Sequence, residues 1–262
     1  MSSGRGTAGD TNSANGADDS GAEAADGLAN GGDFILRAPG CAVPDWLFEP
    51  TRLRAAGRLL SDNALGRGTA WLFAHDAGDG NRGEYVLRHY RRGGLAAKLS
   101  TDRYLWLGLQ RCRAMREFSL LLQLAELGLP VPRPLAARVQ RRGCSYRNDL
   151  ITARIADART LAERLCQAAL PAALWARIGA TIRRFHDAGI HHADLNANNI
   201  LIDADGGCWL IDFDRGDWRA GRRWKAANLA RLRRSLDKLA DQHRQLHFCE
   251  PGWAALLAGY RA

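Results

Sequence analysis

The residues most able to act together chemically lie in His192-Ala193-Asp194-Leu195-Asn196-Ala197-Asn198-Asn199 and in Asp212-Phe213-Asp214, which begins thirteen residues after Asn199. A carboxylate, an amide and a second carboxylate at these intervals suit phosphoryl transfer. That reaction needs one carboxylate beside the attacking hydroxyl and further hard oxygen donors to hold Mg2+ against the phosphates of ATP. Asp194 is the expected catalytic base, orienting an acceptor hydroxyl and taking its proton. Asn199 offers a neutral oxygen to the metal, and Asp212 a charged one. Asp and Asn also populate ordinary turns, so these residues could merely cap a helix and a hairpin. Turn formation alone does not require an apolar helix before the loop, two short apolar strands after it and a carboxylate closing the second. His192 is expected to brace the loop backbone rather than carry a proton, and His191 to be a neighbour without a role.

The nucleotide side is less sharply written. Gly66-Arg67-Gly68 reads as the start of a glycine-rich phosphate flap between two strands, with Trp71 where the third glycine of G-x-G-x-x-G would stand. Arg88 closes the strand Tyr85-Val86-Leu87-Arg88, where its guanidinium could fork onto phosphates, although Arg is not equivalent to Lys there. The pattern resembles that of protein-kinase-like enzymes, in which a third-strand lysine pairs with a helix glutamate. By that resemblance the partner of Arg88 is expected to be Glu117 in the long helix that follows, with Glu126 a poorer choice near the helix end. Both Arg88 and Glu117 could instead be solvated surface charges. Adenine would meet backbone groups around 153–155. The run Arg88-His89-Tyr90-Arg91-Arg92-Gly93-Gly94, with Lys98 and Arg103 beyond, is the densest cationic loop and is expected to favour an anion. Whether Arg88 or Lys98 serves the phosphates is open at this level.

Several elements must position these groups. A glycine turn leads into a strand ending near Phe73, and Asp79-Gly80-Asn81-Arg82-Gly83 is a hairpin signal before the returning strand 84–90. A long helical pattern ends at Gly128, where Pro130, Pro132 and Pro134 forbid continuation. Short strands follow around 136–140 and 150–155. Thr160-Leu161-Ala162-Glu163 is a capping box. Leu174, Ile178, Ile182 and Phe185 share one helix face. Two short strands flank the turn 203–207 and deliver Asn199 and Asp212 to one edge. A last basic helix, 224–244, sets Leu229, Leu232, Leu236 and Leu239 on one side and Arg231, Arg233, Arg234 and Lys238 on the others. The expected fold class is α+β: a bilobal arrangement with a disordered tail at 1–33, a β-rich nucleotide-binding N-lobe at 34–155 and a reduced helical C-lobe at 156–262.

The chain has 262 residues and a net charge of +9. Residues 1–33 hold one Arg and six acids, so the rest carries +14 and every aromatic side chain. An apolar fraction of 46% excludes a wholly disordered chain. No apolar run approaches the roughly 18 residues of a membrane span. The first residues lack an apolar signal core, so export is not expected. Six scattered cysteines without a C-x-x-C pair fit a reducing compartment better than a disulfide framework. No recognised nucleic-acid motif accompanies the basic balance, and neither a nucleic acid nor an obligate protein partner is expected.

The pattern H-x-D-L-x-x-x-N followed by D-F-D resembles the catalytic loop and D-F-G motif of protein-kinase-like enzymes. More narrowly, YVLRHYRRGG (85–94), DRYLW (102–106), GLPVPRP (128–134), HADLN (192–196) and WLIDFDRG (209–216) resemble the Kdo (3-deoxy-D-manno-octulosonic acid) kinases of the lipopolysaccharide kinase family, over roughly 34–240. The resemblance implies a protein-kinase-like fold and ATP-dependent phosphorylation of the Kdo 4-hydroxyl on Kdo-lipid A, by a peripheral protein on the cytoplasmic face of the inner membrane. The anionic membrane surface would then be a partner. Another small-molecule kinase activity, on heptose or an aminoglycoside, stays open. Compared with protein kinases, Asn196 stands where a catalytic-loop lysine is usual, and Asp214 replaces the D-F-G glycine, which argues against a flipping switch. Only 48 residues follow Asp214, without an A-P-E motif, so a small acceptor is expected rather than a docked peptide.

Overall fold

The structure is a computed structural model that describes residues 32–62, 69–76, 82–91 and 102–262. The expectations for residues 1–31, for Gly66 and Gly68, for the turn at 79–81, and for Arg92, Gly93, Gly94 and Lys98 lie outside the described residues.

The first part of the chain builds an antiparallel sheet. Its path runs β1 (Asp33–Arg37), β6 (Pro134–Arg142), β7 (Ser145–Ala153), β4 (Arg82–His89), β3 (Thr69–Asp76) and β2 (Leu59–Asp62), with β5 (Tyr104–Leu105) added to β7. β3 and β4 pair without a slip from Thr69 opposite His89 to Asp76 opposite Arg82, the register a tight hairpin produces. β6 and β7 are each longer than the sequence pattern suggests. They turn back on one another at Gly143, whose φ of 59° favours a residue without a Cβ.

This sheet is covered on both faces. Ala137, Val139 and Leu150 pack with α2 (Arg113–Glu126), while Ile35, Leu87, Leu135 and Ile151 pack with Leu47, Phe48 and Leu53 from α1 (Pro50–Ala55) and the turn before it. Burial on both faces erases the apolar–polar alternation that would have marked the full strand lengths. α2 ends as its sequence requires. Gly128 takes φ 66°, its N–H donates to Ala125 and the Leu129 N–H donates to Leu124, and Pro130 and Pro132 follow.

The remainder is mostly helical: α3 (Leu161–Gln167), α4 (Ala172–Asp187), α5 (Arg223–Gln242) and α6 (Glu250–Arg261). The capping box forms, with the Glu163 N–H donating to Thr160 at 3.0 Å and the Thr160 N–H donating to Glu163 at 2.8 Å. Leu174, Ile178, Ile182 and Phe185 are all buried. Each such side chain stabilises the fold by about 1.5–3 kcal/mol relative to exposure. α6 is an element the sequence reading missed. It lies against α4 so closely that a Cβ at Gly179 would fall 2.0 Å from the Leu256 carbonyl oxygen, and one at Gly259 2.0 Å from that of Ala176. Two small sheets complete the fold: β8 (Arg159–Thr160) with β10 (Ile200–Ile202) and β11 (Cys208–Leu210), and β9 (Ile190–His191) with β12 (Asp217–Trp218).

Candidate active site

α4 leads through Gly189, at φ 80°, into β9 and then the loop carrying Asp194. His192 fixes that loop. Its Nε2 lies 2.8 Å from the Ile211 carbonyl oxygen, and its Nδ1 accepts from the Asp194 N–H at 3.2 Å. One neutral tautomer satisfies both bonds, and burial pushes the imidazole below its ordinary pKa, so the ring is neutral. His192 is thus a brace, as expected. His191, expected to be idle, instead holds Asp217 with Nδ1 at 2.8 Å, across the β9–β12 pair.

The loop is also held from behind by a buried polar relay. The Asn228 Nδ2 on α5 donates to the His192 carbonyl at 2.7 Å, and its Oδ1 faces His186 Nε2 at 3.0 Å. The Nδ1 of His186 then accepts from the Tyr260 hydroxyl of α6, 2.7 Å away. Burial drives the His186 pKa down to about 4, so the ring is neutral, and the Asn228 oxygen facing Nε2 fixes its tautomer.

The Asn199 Nδ2 donates to the Asp194 carbonyl at 2.9 Å, leaving its side-chain oxygen for a cation, and the Asn199 carbonyl accepts from the Ile211 N–H at 3.0 Å. β10 and β11 thereby carry Asn199 and Asp212 to one edge. Asp212 adopts φ 66°, a left-handed conformation that side chains other than glycine rarely take; such strain persists where the surroundings over-determine it. The Asp194 carboxylate is half exposed and accepts from Arg231 of α5, from Nε at 3.1 Å and also from Nη2. Partial desolvation opposes its charge, but the hydrogen bond and charge of Arg231 prevail and hold the carboxyl below the usual range.

Across the cleft, Arg88 on β4 grips both oxygens of Glu117 on α2 at 2.6 Å and reaches Asp212 at 3.3 Å. Glu117 is buried, whereas Glu126 is exposed at the helix end. Glu117 also accepts from the Tyr90 hydroxyl and, at 3.1 Å, from the Phe213 N–H. Burial disfavours charge on Arg88, but Glu117, Tyr90 and Asp212 outweigh it and raise its pKa, so the guanidinium stays charged. Asp214, the residue in place of the D-F-G glycine, pairs with Arg113 at the start of α2. Phe213 stacks on Phe185 of α4. The 212–214 segment is therefore tied to α2 at two successive residues.

Arg88, Glu117, Asp194, Asn199 and Asp212 all line one cleft of about 1460 Å³. Ala70, Val86, Leu201 and Ile211 give it apolar walls. The Ala153 and Arg154 N–H groups are already bonded to Arg133 and Glu84, at 2.8 and 2.9 Å, which narrows the adenine expectation to the remaining groups near Ile155. Among the described residues, no group of three or more His, Cys, Asp and Glu is arranged to hold a metal. Asn199 and Asp212 supply one neutral and one charged hard oxygen, a donor set that fits Mg2+, which keeps waters and takes its other ligands from phosphates. Arg231, Tyr90, Arg113 and Asn228 were missed as site residues. Tyr90 stood inside the cationic run 88–94, and Arg231 and Asn228 on an amphipathic helix, but neither signal says what those side chains face.

The model of the "Lipopolysaccharide kinase (Kdo/WaaP) family" matches residues 54–260. A Photobacterium profundum protein named 3-deoxy-D-manno-octulosonic acid kinase is 42% identical over 217 residues, 83% of this chain and 89% of that one. Proteins of the same name are similar at 50% identity from Xanthomonas campestris pv. campestris, over 74% of this chain and 75% of theirs, and at 46% from Stenotrophomonas maltophilia, over 82% and 83%.

Proposed function

Because the chain belongs to the lipopolysaccharide kinase (Kdo/WaaP) family, and is therefore a phosphotransferase, we propose that it moves the γ-phosphoryl group of ATP to the 4-hydroxyl of Kdo on Kdo-lipid A, at the cytoplasmic face of the inner membrane. The observation that carries this reading is the convergence of Asp194, Asn199, Asp212 and the Arg88–Glu117 pair on one cleft.

In this mechanism the sheet with α2, residues 34–155, is the nucleotide-holding lobe, and residues 156–262 present the acceptor. Arg88, its direction fixed by Glu117, binds phosphate oxygens. Asp194 is a carboxylate at neutral pH, and the hydrogen bond and charge of Arg231 stabilise that form further. It orients the acceptor hydroxyl and takes its proton as the oxygen attacks. Asn199 and Asp212 would hold Mg2+, which when bound supplies positive charge to the triphosphate. The buried brace of His192 and Asn228 keeps Asp194 in place, so little reorganisation accompanies the reaction.

The test is turnover of purified Asp194→Ala on ATP and Kdo-lipid A. Loss of the base is expected to lower kcat by about 10²–10⁴-fold, with product mass and linkage placing the phosphate at the 4-hydroxyl. Unchanged turnover removes Asp194 from its role. Label in a heptose acceptor but not in Kdo would reassign the substrate.

A further inference from the structure

Some basic residues of α5 are paired with acids and others line the cleft. Arg233 is paired with Asp237 at 2.8 Å and with Glu250 on α6, and Lys225 with Asp187 at 3.2 Å. On another side Arg231, Arg234, Ser235, Lys238 and Gln242 line the cleft. Their positions, i, i+3, i+4, i+7 and i+11, describe one face of a helix.

Arg231 is occupied by Asp194. Arg234 and Lys238, one and two turns further along, are exposed and have no acidic partner among the described residues. Arg159 of β8 lines the same cleft and is bonded only to the neutral Gln167, at 2.6 Å. Two cations at i and i+4 repel each other in the free protein, a modest cost that an anion lying between them removes. The wall leading from the Asp194–Arg231 pair thus carries two exposed cations without an acidic partner among the described residues, whereas Lys225 and Arg233, which do not line the cleft, have acids beside them.

We propose that the cleft face of α5, with Arg234 and Lys238 as its principal cations and Arg159 beside them, is the acceptor subsite: it holds an anionic oxygen group of the acceptor while the hydroxyl is presented to Asp194. The inference deepens the functional reading above and rests on it. The ligand chemistry is a carboxylate or phosphate, either the carboxylate of the sugar acid or a phosphate on its lipid. Arg offers a planar fork that matches both, and Lys adds a mobile point charge.

The experiment is steady-state kinetics with wild type, the Arg234→Gln/Lys238→Gln double variant, and Arg223→Gln/Arg244→Gln, which removes the same charge from exposed positions of and just beyond α5 that do not line the cleft. Loss of two charge-assisted contacts is expected to raise the acceptor KM of the cleft variant about tenfold or more while the KM for ATP moves less than about twofold. The control variant should keep the wild-type acceptor KM. Two modified acceptors separate the sources. If the sugar carboxylate is bound, the gap between wild type and cleft variant closes for the amidated acid; if a lipid phosphate is bound, it closes for the dephosphorylated lipid. An unchanged acceptor KM, an equal rise in the control, or a rise in the KM for ATP instead overturns the subsite, and so does a gap that persists with both modified acceptors. Wild-type turnover absent on every Kdo acceptor overturns the functional reading and the subsite with it, so the two failures are told apart by the wild type alone.

Discussion

At the scale of single residues, the site is governed by which charges are paired. Arg88 is held by a buried acid, and the charge of Asp194 is held by an exposed Arg231. The second pair has a direct consequence for pH dependence. Asp194, the proposed base, would work only when deprotonated, and Arg231 depresses its pKa. Arg231→Gln removes that cation, so the Asp194 pKa rises and less carboxylate is present at any acid pH. The acid limb of the kcat/KM profile is therefore expected to move to higher pH, with a smaller loss near neutrality. An acid limb that stays where it is would show that Asp194 and Arg231 are not coupled in the working enzyme.

At the scale of elements, the loop carrying Asp194 is only as firm as the three helices behind it. α4, α5 and α6 meet through the His186–Asn228–Tyr260 relay and through the glycine contacts between α4 and α6. His186 has its pKa lowered from 6.5 to about 4, so the unfolded chain takes up a proton that the folded protein refuses. Stability from this group is present above pH 6.5 and is lost as pH falls through the window down to about 4, by about 3 kcal/mol. Urea unfolding at a series of pH values measures that slope, and His186→Gln should flatten it. The glycine contact yields a second expectation. Gly259→Ala places a methyl against a backbone oxygen of α4, which cannot rotate away as a side chain would. Overpacking of this kind costs about 1–3 kcal/mol, and for a chain of this size about 2–4 °C of Tm per kcal/mol. A melt by circular dichroism that is unchanged would mean that α6 shifts without penalty.

At the scale of the whole molecule, charge is the property that reaches furthest. Outside residues 1–33 the sequence carries +14, and no described helix is long and apolar enough to cross a membrane. Attraction to anionic lipid is worth about 1 kcal/mol for each basic residue near the surface. Co-sedimentation with phosphatidylglycerol vesicles is therefore expected at about 0.1 M salt and should be largely lost at about 1 M, where the Debye length is roughly 3 Å. Equal binding to neutral vesicles would sink the electrostatic account of its location.

Local features were legible in the order of residues alone. Gly128 with its prolines ends α2, Thr160 with Glu163 starts α3, and the spacing of Asp194, Asn199 and Asp212 calls for a loop and a short hairpin, because hydrogen bonds and dihedral preferences within a few residues decide such features. That order left α6 unseen, since what stabilises that helix is packing against α4, a contact between segments far apart in the chain. That Arg231 faces Asp194 and that Asp214 is tied to Arg113 emerges from the folded chain alone. Those pairs span 37 and 101 positions of chain. No local preference encodes a contact at such separations. It arises when the sheet, α2 and α5 bury their apolar faces and so bring their charged edges together around one cleft.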